Sequence, residues 1–349
     1  MTVVESTAAR APHVTGVRGS RARSWRLGVG LVGAVALLVL VAGLSIAVGS
    51  KSVPLGEVWH ALRFPDGSYA SAVVDSRIPR TLLGLLVGAA LAVAGAVIQG
   101  ITRNPLGDPG LLGVNSGAAA SVVIVTALAG VGAGRTVWAA IPGAVLAAIA
   151  VYAIGASGRG PTAVRLILAG AAITAVLVAL VEAISLANPE VFDSYRFWVV
   201  GSLAGRPIEA VDEVLPVILV ALVVALLLSR ALNALALGDE TATSLGLRAG
   251  RTRLVGGAVA TVLTAASVAA VGPVAFVGLA VPHVVRGFTG SDHRWLLPYC
   301  VALGPVLLLG ADILGRVVAR PGELMVGAVT AFLGAPFLIA AVRRRGAAL

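Results

Sequence analysis

The residues in this chain that could do chemistry are mostly too scattered to do it together. The one lysine, Lys51, lies in Gly49-Ser50-Lys51-Ser52. A phosphate loop needs G-x-x-x-x-G-K-[ST], and Ser50 stands where the second glycine belongs, so the segment lacks the amides that cradle phosphate. Gly130-Val131-Gly132-Ala133-Gly134 has the glycines of a dinucleotide loop, but it joins two apolar runs and no strand precedes it. His13, His60, His283 and His293 have no paired spacing that would converge on a metal. No serine occupies a G-x-S-x-G elbow. His283, directly after Pro282, reads as structural. Cys300 is the only cysteine and lies in an apolar run, which excludes an internal disulfide and suits a buried, inert thiol. The chain is therefore expected to have no catalytic residues and to bind no metal or cofactor.

Two charged features are better placed. Arg77 and Arg80 stand at the entrance of a long apolar stretch, and Glu182 is an acid inside one, five residues before Ala187. Glu182 admits two readings: a side chain snorkelling toward the interface, or a carboxylate lining a polar pathway. One isolated acid is a poor basis for a proton relay.

The elements that carry these groups must be membrane helices. Hydrophobic residues make up 58% of the 349 residues and charged residues 12%, with a mean hydropathy of +0.99. A soluble core of this size cannot hide so much apolar surface. Hydropathy predicts ten spans, near 27–48, 80–100, 111–130, 137–155, 162–187, 212–232, 253–271, 274–289, 295–313 and 324–341, an all-α polytopic membrane fold. In the second span Gly84, Gly88, Ala92, Ala96 and Gly100 recur every four residues, a small-residue face that lets another backbone approach closely.

Ten spans return both termini to one side. With that side cytoplasmic, it receives the tail, the segments around 101–110, 156–165, 230–252 and 286–294, and the C-terminus. These hold most of the 26 Lys and Arg but only five of the 16 acids, as the positive-inside rule requires. The net charge of +10 thus orients the chain rather than marking a nucleic-acid surface. Residues 1–26 carry five arginines without apolar periodicity and read as a disordered basic cytoplasmic tail. The apolar run that follows is too long for a secretory signal and lacks its small-residue cleavage site. Residues 27–345 read as a single domain.

Turn chemistry marks the joints. Pro79 and Pro161 are expected at helix starts, and Asn104-Pro105, Asp108-Pro109 and Gly272-Pro273 break helix continuity. Tyr195, Phe197 and Trp198 suit a short interfacial helix. The loop 233–252 reads as two short helices broken near Gly238 and Gly246. It is too apolar for a linker and too short to span, as a docking surface for a soluble partner would be.

Several stretches in one order carry a resemblance: RIPR at 77–80, GAALAVAGAVIQGITRNPLGDPGLLG at 88–113, ALGDETATSLGL at 236–247, AAVGPVAFVGLAVPHVVRGFTGSDHRWLLP at 269–298 and ADILGR at 311–316. Together, from about Trp25 to Arg345, they resemble the permease subunits of ABC importers for iron-siderophores, haem and vitamin B12, the FecCD family. The resemblance implies a ten-helix subunit paired with a second permease, as a homo- or heterodimer, around a central pathway in the lipid. Two cytoplasmic ATPase subunits, using ATP and Mg, would power it, and an extracytoplasmic binding protein would deliver the ligand.

By the same resemblance, Arg77, Arg80 and Arg316 match outer arginines that pair with acids of the binding protein, the alternative for Arg77 and Arg80 being simple headgroup anchors. Leu237, Gly238, Glu240, Ala242, Leu245 and Gly246 fall on the ATPase-coupling surface. Asn104, Leu106, Thr162 and Ala163 match the inner gate, with Glu182 on the pathway. The chain departs from the family pattern at Glu323-Leu324-Met325-Val326-Gly327, where a proline usually follows the leucine. A ferric siderophore is the implied substrate, with haem and cobalamin as competitors. A secondary transporter without an ATPase is the reading from a different class.

Overall fold

The computed structural model describes residues 16–130, 136–155 and 163–346, and no strand occurs among them. In chain order the helices are α1 (Gly16–Ala47), α2 (Leu55–Arg63), α3 (Tyr69–Thr102), a 3₁₀ turn at Pro109–Leu112, α4 (Val114–Ala129), α5 (Thr136–Gly155), α6 (Ala163–Ala187) and α7 (Pro189–Trp198). There follow α8 (Ile208–Leu227), α9 (Ser229–Ala236), α10 (Asp239–Ser244), α11 (Ala249–Val271), α12 (Val277–Thr289), α13 (His293–Val318) and α14 (Val326–Gly346). Nine of the ten expected spans each overlap one of these helices, while the span expected at 212–232 runs through the end of α8 at Leu227 into α9. Among the described residues seven helices are long and apolar enough to cross a membrane, α4 and the stretch Val326–Pro336 of α14 are shorter apolar helices, and α12 has 13 residues.

Two sequence expectations change. The second span does not begin at Pro79: α3 starts ten residues earlier, where the Ser68 hydroxyl accepts from the Ser71 amide at 3.2 Å, and Pro79 lies inside the helix. Residues 16–26, expected as part of an unstructured tail, continue α1 without a breaker, and Arg23 donates to the Thr289 carbonyl at 2.8 Å. Residues 1–15 and Pro161 lie outside the described residues.

α3 is the axis of the bundle and the most buried of the long helices. Its small-residue face works as expected. A Cβ at Gly88 would fall on the backbone of Pro305 and Gly304 in α13, and one at Gly95 on Gly278 in α12. Such approach replaces side-chain knobs with backbone contact and stabilises packing where lipid offers no hydrophobic drive. At one end of the bundle three connections interlock: Ser202 donates its amide to the Val271 carbonyl at 2.7 Å, and Gly327 donates to Gly201 at 3.1 Å. Gly201 (φ +73°) and Gly272 (φ +79°) are required there, since a Cβ on either would strike the other loop's backbone.

Candidate functional site

At the end of the bundle that holds α2 and α7, Arg77, Arg80 and Arg316 converge, but not on the surface. Their relative exposures are 5%, 8% and 1%. The cause is the C-terminus of α1, whose last carbonyls have no intrahelical partner and form the negative end of the helix dipole. Arg77 Nη1 donates to the Ile46 and Ala47 carbonyls at 2.8 and 3.0 Å, and its Nη2 to Lys51 at 2.7 Å. Arg316 Nη1 donates to the Ser45 and Val48 carbonyls at 2.9 and 3.0 Å.

Asp312, fully buried, balances this charge. It accepts from Arg80 Nε and Nη2 at 3.0 and 2.8 Å and pairs with Arg316 Nη2 at 2.9 Å. Arg80 Nη1 also reaches Glu323 at 2.7 Å, and Ser50 donates to the other Glu323 oxygen at 2.6 Å. Burial raises the Glu323 carboxyl, but the Ser50 and Arg80 bonds outweigh it and hold the group below its ordinary range. The guanidiniums of Arg77, Arg80 and Arg316 are engaged inside the chain, stapling α1 to α3 and α13. Glu323, two residues before the Met325 that stands where the family pattern has proline, is a member of that staple.

The opposite end carries the loop. Gly238, at φ +110°, separates α9 from α10, and Gly246, at φ +81°, follows α10, so the loop is two short helices as expected. Leu237 and Leu245 are 65% and 63% exposed, and Glu240 is exposed beside them. Ala242 does not belong to this surface. It is fully buried against Ala234 and Leu235, with Ile101 and Leu247 packed around them, and so anchors α10 from below.

Asn104 and Leu106 follow Arg103, whose side chain pairs with Asp239 of this loop. The Asn104 side-chain oxygen accepts from the Leu106 amide at 3.0 Å, and the Gly107 amide donates to the Asn104 carbonyl at 2.9 Å, closing a tight turn after α3. Asp108 then caps the 3₁₀ turn through the Gly110 amide at 2.7 Å, and burial raises its carboxyl despite that bond. Thr162 lies outside the described residues, and Ala163 is the first residue of α6. Glu182 is exposed on α6, remote from this end, and with burial its charge pushes the Tyr195 hydroxyl of α7 up.

Sequence reasoning missed two junctions at the loop. Asp239 accepts from Arg253 Nη2 and Nη1 at 2.7 and 3.0 Å and from Arg103. Asn233 of α9 donates to Asp292 at 2.6 Å and accepts from the His293 amide at 2.8 Å, tying α9 to the start of α13. The Arg294 bond, reinforced by Asn233 and opposed by burial, holds the Asp292 carboxyl far below its ordinary range. Partners lie 136 and 59 residues apart in these pairs, and no local spacing announces them. Among the described residues no group of three or more His, Cys, Asp or Glu could hold a metal ion.

A helical bundle with a glycine-packed axis and long, exposed apolar helices defines a multi-pass membrane protein. Residues 37–344 match the FecCD transport family, and the chain belongs to that family. It is 48% identical to the ferric enterobactin transport system permease protein of Escherichia coli (strain K12), over 91% of this chain and 96% of that one. It is 40% identical to an iron(3+)-hydroxamate import system permease protein of Bacillus subtilis (strain 168), over 90% and 83%. A cobalamin import system permease protein of Halobacterium salinarum is 39% identical over 88% and 86%. Among solved structures, one described as a metal-chelate type ABC transporter in an inward-facing conformation superposes with a TM-score of 0.79 at 28% identity, over 90% of this chain and 98% of that one.

Proposed function

We propose that this permease imports a ferric siderophore with energy from cytoplasmic ATPase subunits that bind the α9–α10 loop. The observation that carries the reading is the loop itself. Leu237 and Leu245 hold two large apolar side chains in the open on a connection whose buried side is already filled by Ala234, Leu235 and Ala242. Exposed apolar groups rimmed by polar residues mark a protein contact. The α9–α10 end is then cytoplasmic, which places α2, α7 and the arginine staple outside, in agreement with the basic bias of the inner segments.

A second permease subunit is proposed to cover α6. Only 17% of its apolar window is buried, and it exposes Glu182 with Val176, Val178 and Leu180. A carboxylate facing hydrocarbon is costly, whereas a paired subunit would enclose it beside a hydrated pathway. A binding protein would meet exposed side chains of the outer end rather than the three stapled arginines. The siderophore assignment follows the relatives that handle ferric enterobactin and iron(3+)-hydroxamate.

The test is uptake of radiolabelled iron, given as individual catecholate or hydroxamate complexes, by cells with the chain deleted and restored. Restoration by the intact chain but not by Leu237→Asp with Leu245→Asp, together with loss of the co-purifying ATPase in that variant, is expected. Restored uptake of cobalamin instead of iron would overturn the substrate, and uptake without any ATPase would overturn the energy source.

A further inference from the structure

α10 begins at Asp239, and its carboxylate is gripped by two arginines from different helices. Arg253, in the first turns of α11, donates both terminal nitrogens to it and also reaches the Ile101 carbonyl at 3.4 Å, in the last turn of α3. Arg103 is the C-cap of α3, held at φ +51°, a left-handed conformation uncommon for a residue with a side chain. The next residue is Asn104, which opens the Asn104–Leu106 turn. A displacement of α10 is thus handed to that turn through one carboxylate, with no intervening helix.

Two further observations suit a moving joint. The side chains of Arg103, Asp239 and Arg253 are 39%, 49% and 25% exposed, so solvent reaches the cluster and its pairs can part without leaving a charge buried and unpaired. Beside them lies a crevice of about 730 Å³, lined by Ile98, Ile101, Val145, Tyr152, Leu166 and Val262 among others. Space of that size between α3, α5 and α11 lets the joint shift without forcing a packed core apart.

We infer that Asp239, Arg103 and Arg253 form the link that carries movement of the α9–α10 loop to the Asn104–Leu106 turn, with Asp239 as a positioning residue of transport. The inference rests on the proposed ATPase contact at this loop. Leu106→Cys supplies the probe, because Cys300 is the chain's one native cysteine and is buried. The transporter is assembled with its ATPase in proteoliposomes, and labelling at position 106 by a membrane-impermeant maleimide is timed with and without ATP.

ATP is expected to change the labelling rate in the otherwise unaltered complex. Asp239→Asn should abolish that change and lower transport per ATP hydrolysed by roughly tenfold, the size of a typical coupling between linked sites, while the ATPase stays bound and hydrolysing. Asp239→Glu keeps a carboxylate between Arg103 and Arg253 and should retain part of the response. A full ATP response in Asp239→Asn, or no response in Asp239→Glu with the ATPase bound, overturns the link. Loss of ATPase binding in Asp239→Asn also overturns it, making the residue a partner contact. Absence of ATPase binding by the unaltered chain would instead fail the importer reading on which the link rests.

Discussion

Asp312→Asn separates a staple held by buried charge from one held by surface pairing. Asp312 is fully buried between Arg80 and Arg316, whose side chains are 10% and 1% exposed. The substitution keeps the shape but removes the negative charge and turns part of the group into a donor facing donors. Removing one partner of a buried ion pair costs about 3–5 kcal/mol, because the remaining charge is left uncompensated. Arg80 keeps Glu323 and Arg316 keeps the α1 carbonyls, so about 4 kcal/mol is expected rather than the sum for two orphaned cations.

Glu323→Gln is the internal control. Its side chain is 31% exposed, and a pair that solvent reaches contributes about 0–1 kcal/mol. The assay is unfolding of the detergent-solubilised chain in mixed micelles of increasing denaturing detergent, followed by fluorescence of its five tryptophans. Hydrogen exchange at residues 45–51 reports whether the loss is local to the end of α1. The reasoning is refuted if Asp312→Asn costs no more than Glu323→Gln, or if exchange at 45–51 is unchanged while stability falls.

Two further outcomes follow from the geometry. Gly88→Val places carbon on the Pro305 backbone and should destabilise the α3–α13 contact by about 1–3 kcal/mol in the same assay, whereas Gly33→Val, which meets nothing within 4 Å, should be neutral; equal effects would remove the small-residue face as a packing device. The lowered Glu323 carboxyl makes its contribution present above its unfolded pKa and lost as pH falls through the folded value, so the stability difference between the chain and Glu323→Gln should shrink below about pH 4; a difference that does not vary with pH refutes the pairing.

Much of the fold was legible because hydropathy and glycine spacing are local signals. The apolar runs became helices, though the one at 212–232 divides between α8 and α9, and the Gly84-to-Gly100 face lies on the axis of the bundle. Gly238 broke the loop into α9 and α10 because a left-handed or extended positive-φ joint is a property of one residue. What failed was range. Pro79 looked like a start because its ring favours one, but Ser68 supplies a stronger start upstream, and a proline inside a long buried helix is tolerated where neighbouring helices pack around it. Ala242 looked like part of a surface because its neighbours are, although a six-residue helix must turn one face inward.

The arginines show donors whose partners the sequence does not announce. Three guanidiniums near one end of a bundle invite an external carboxylate, and their forked donors fit one well. Yet the same donors fit the orphan carbonyls at the end of α1, which carries no basic residue in its own last turn. A helix that ends without a cap must find donors elsewhere, and the chain supplies them from α3 and α13. One clue was available: Asp312 and Arg316 stand four residues apart, the spacing that pairs opposite charges on a helix face. An arginine with an acid one turn before it already has a partner, and a second role would have to compete with that pair. The two ends of the bundle therefore carry two different kinds of charge. Beside α2 the pairs are buried, holding α1 to the axis. Around Asp239 they are partly exposed, at the joint inferred to carry movement.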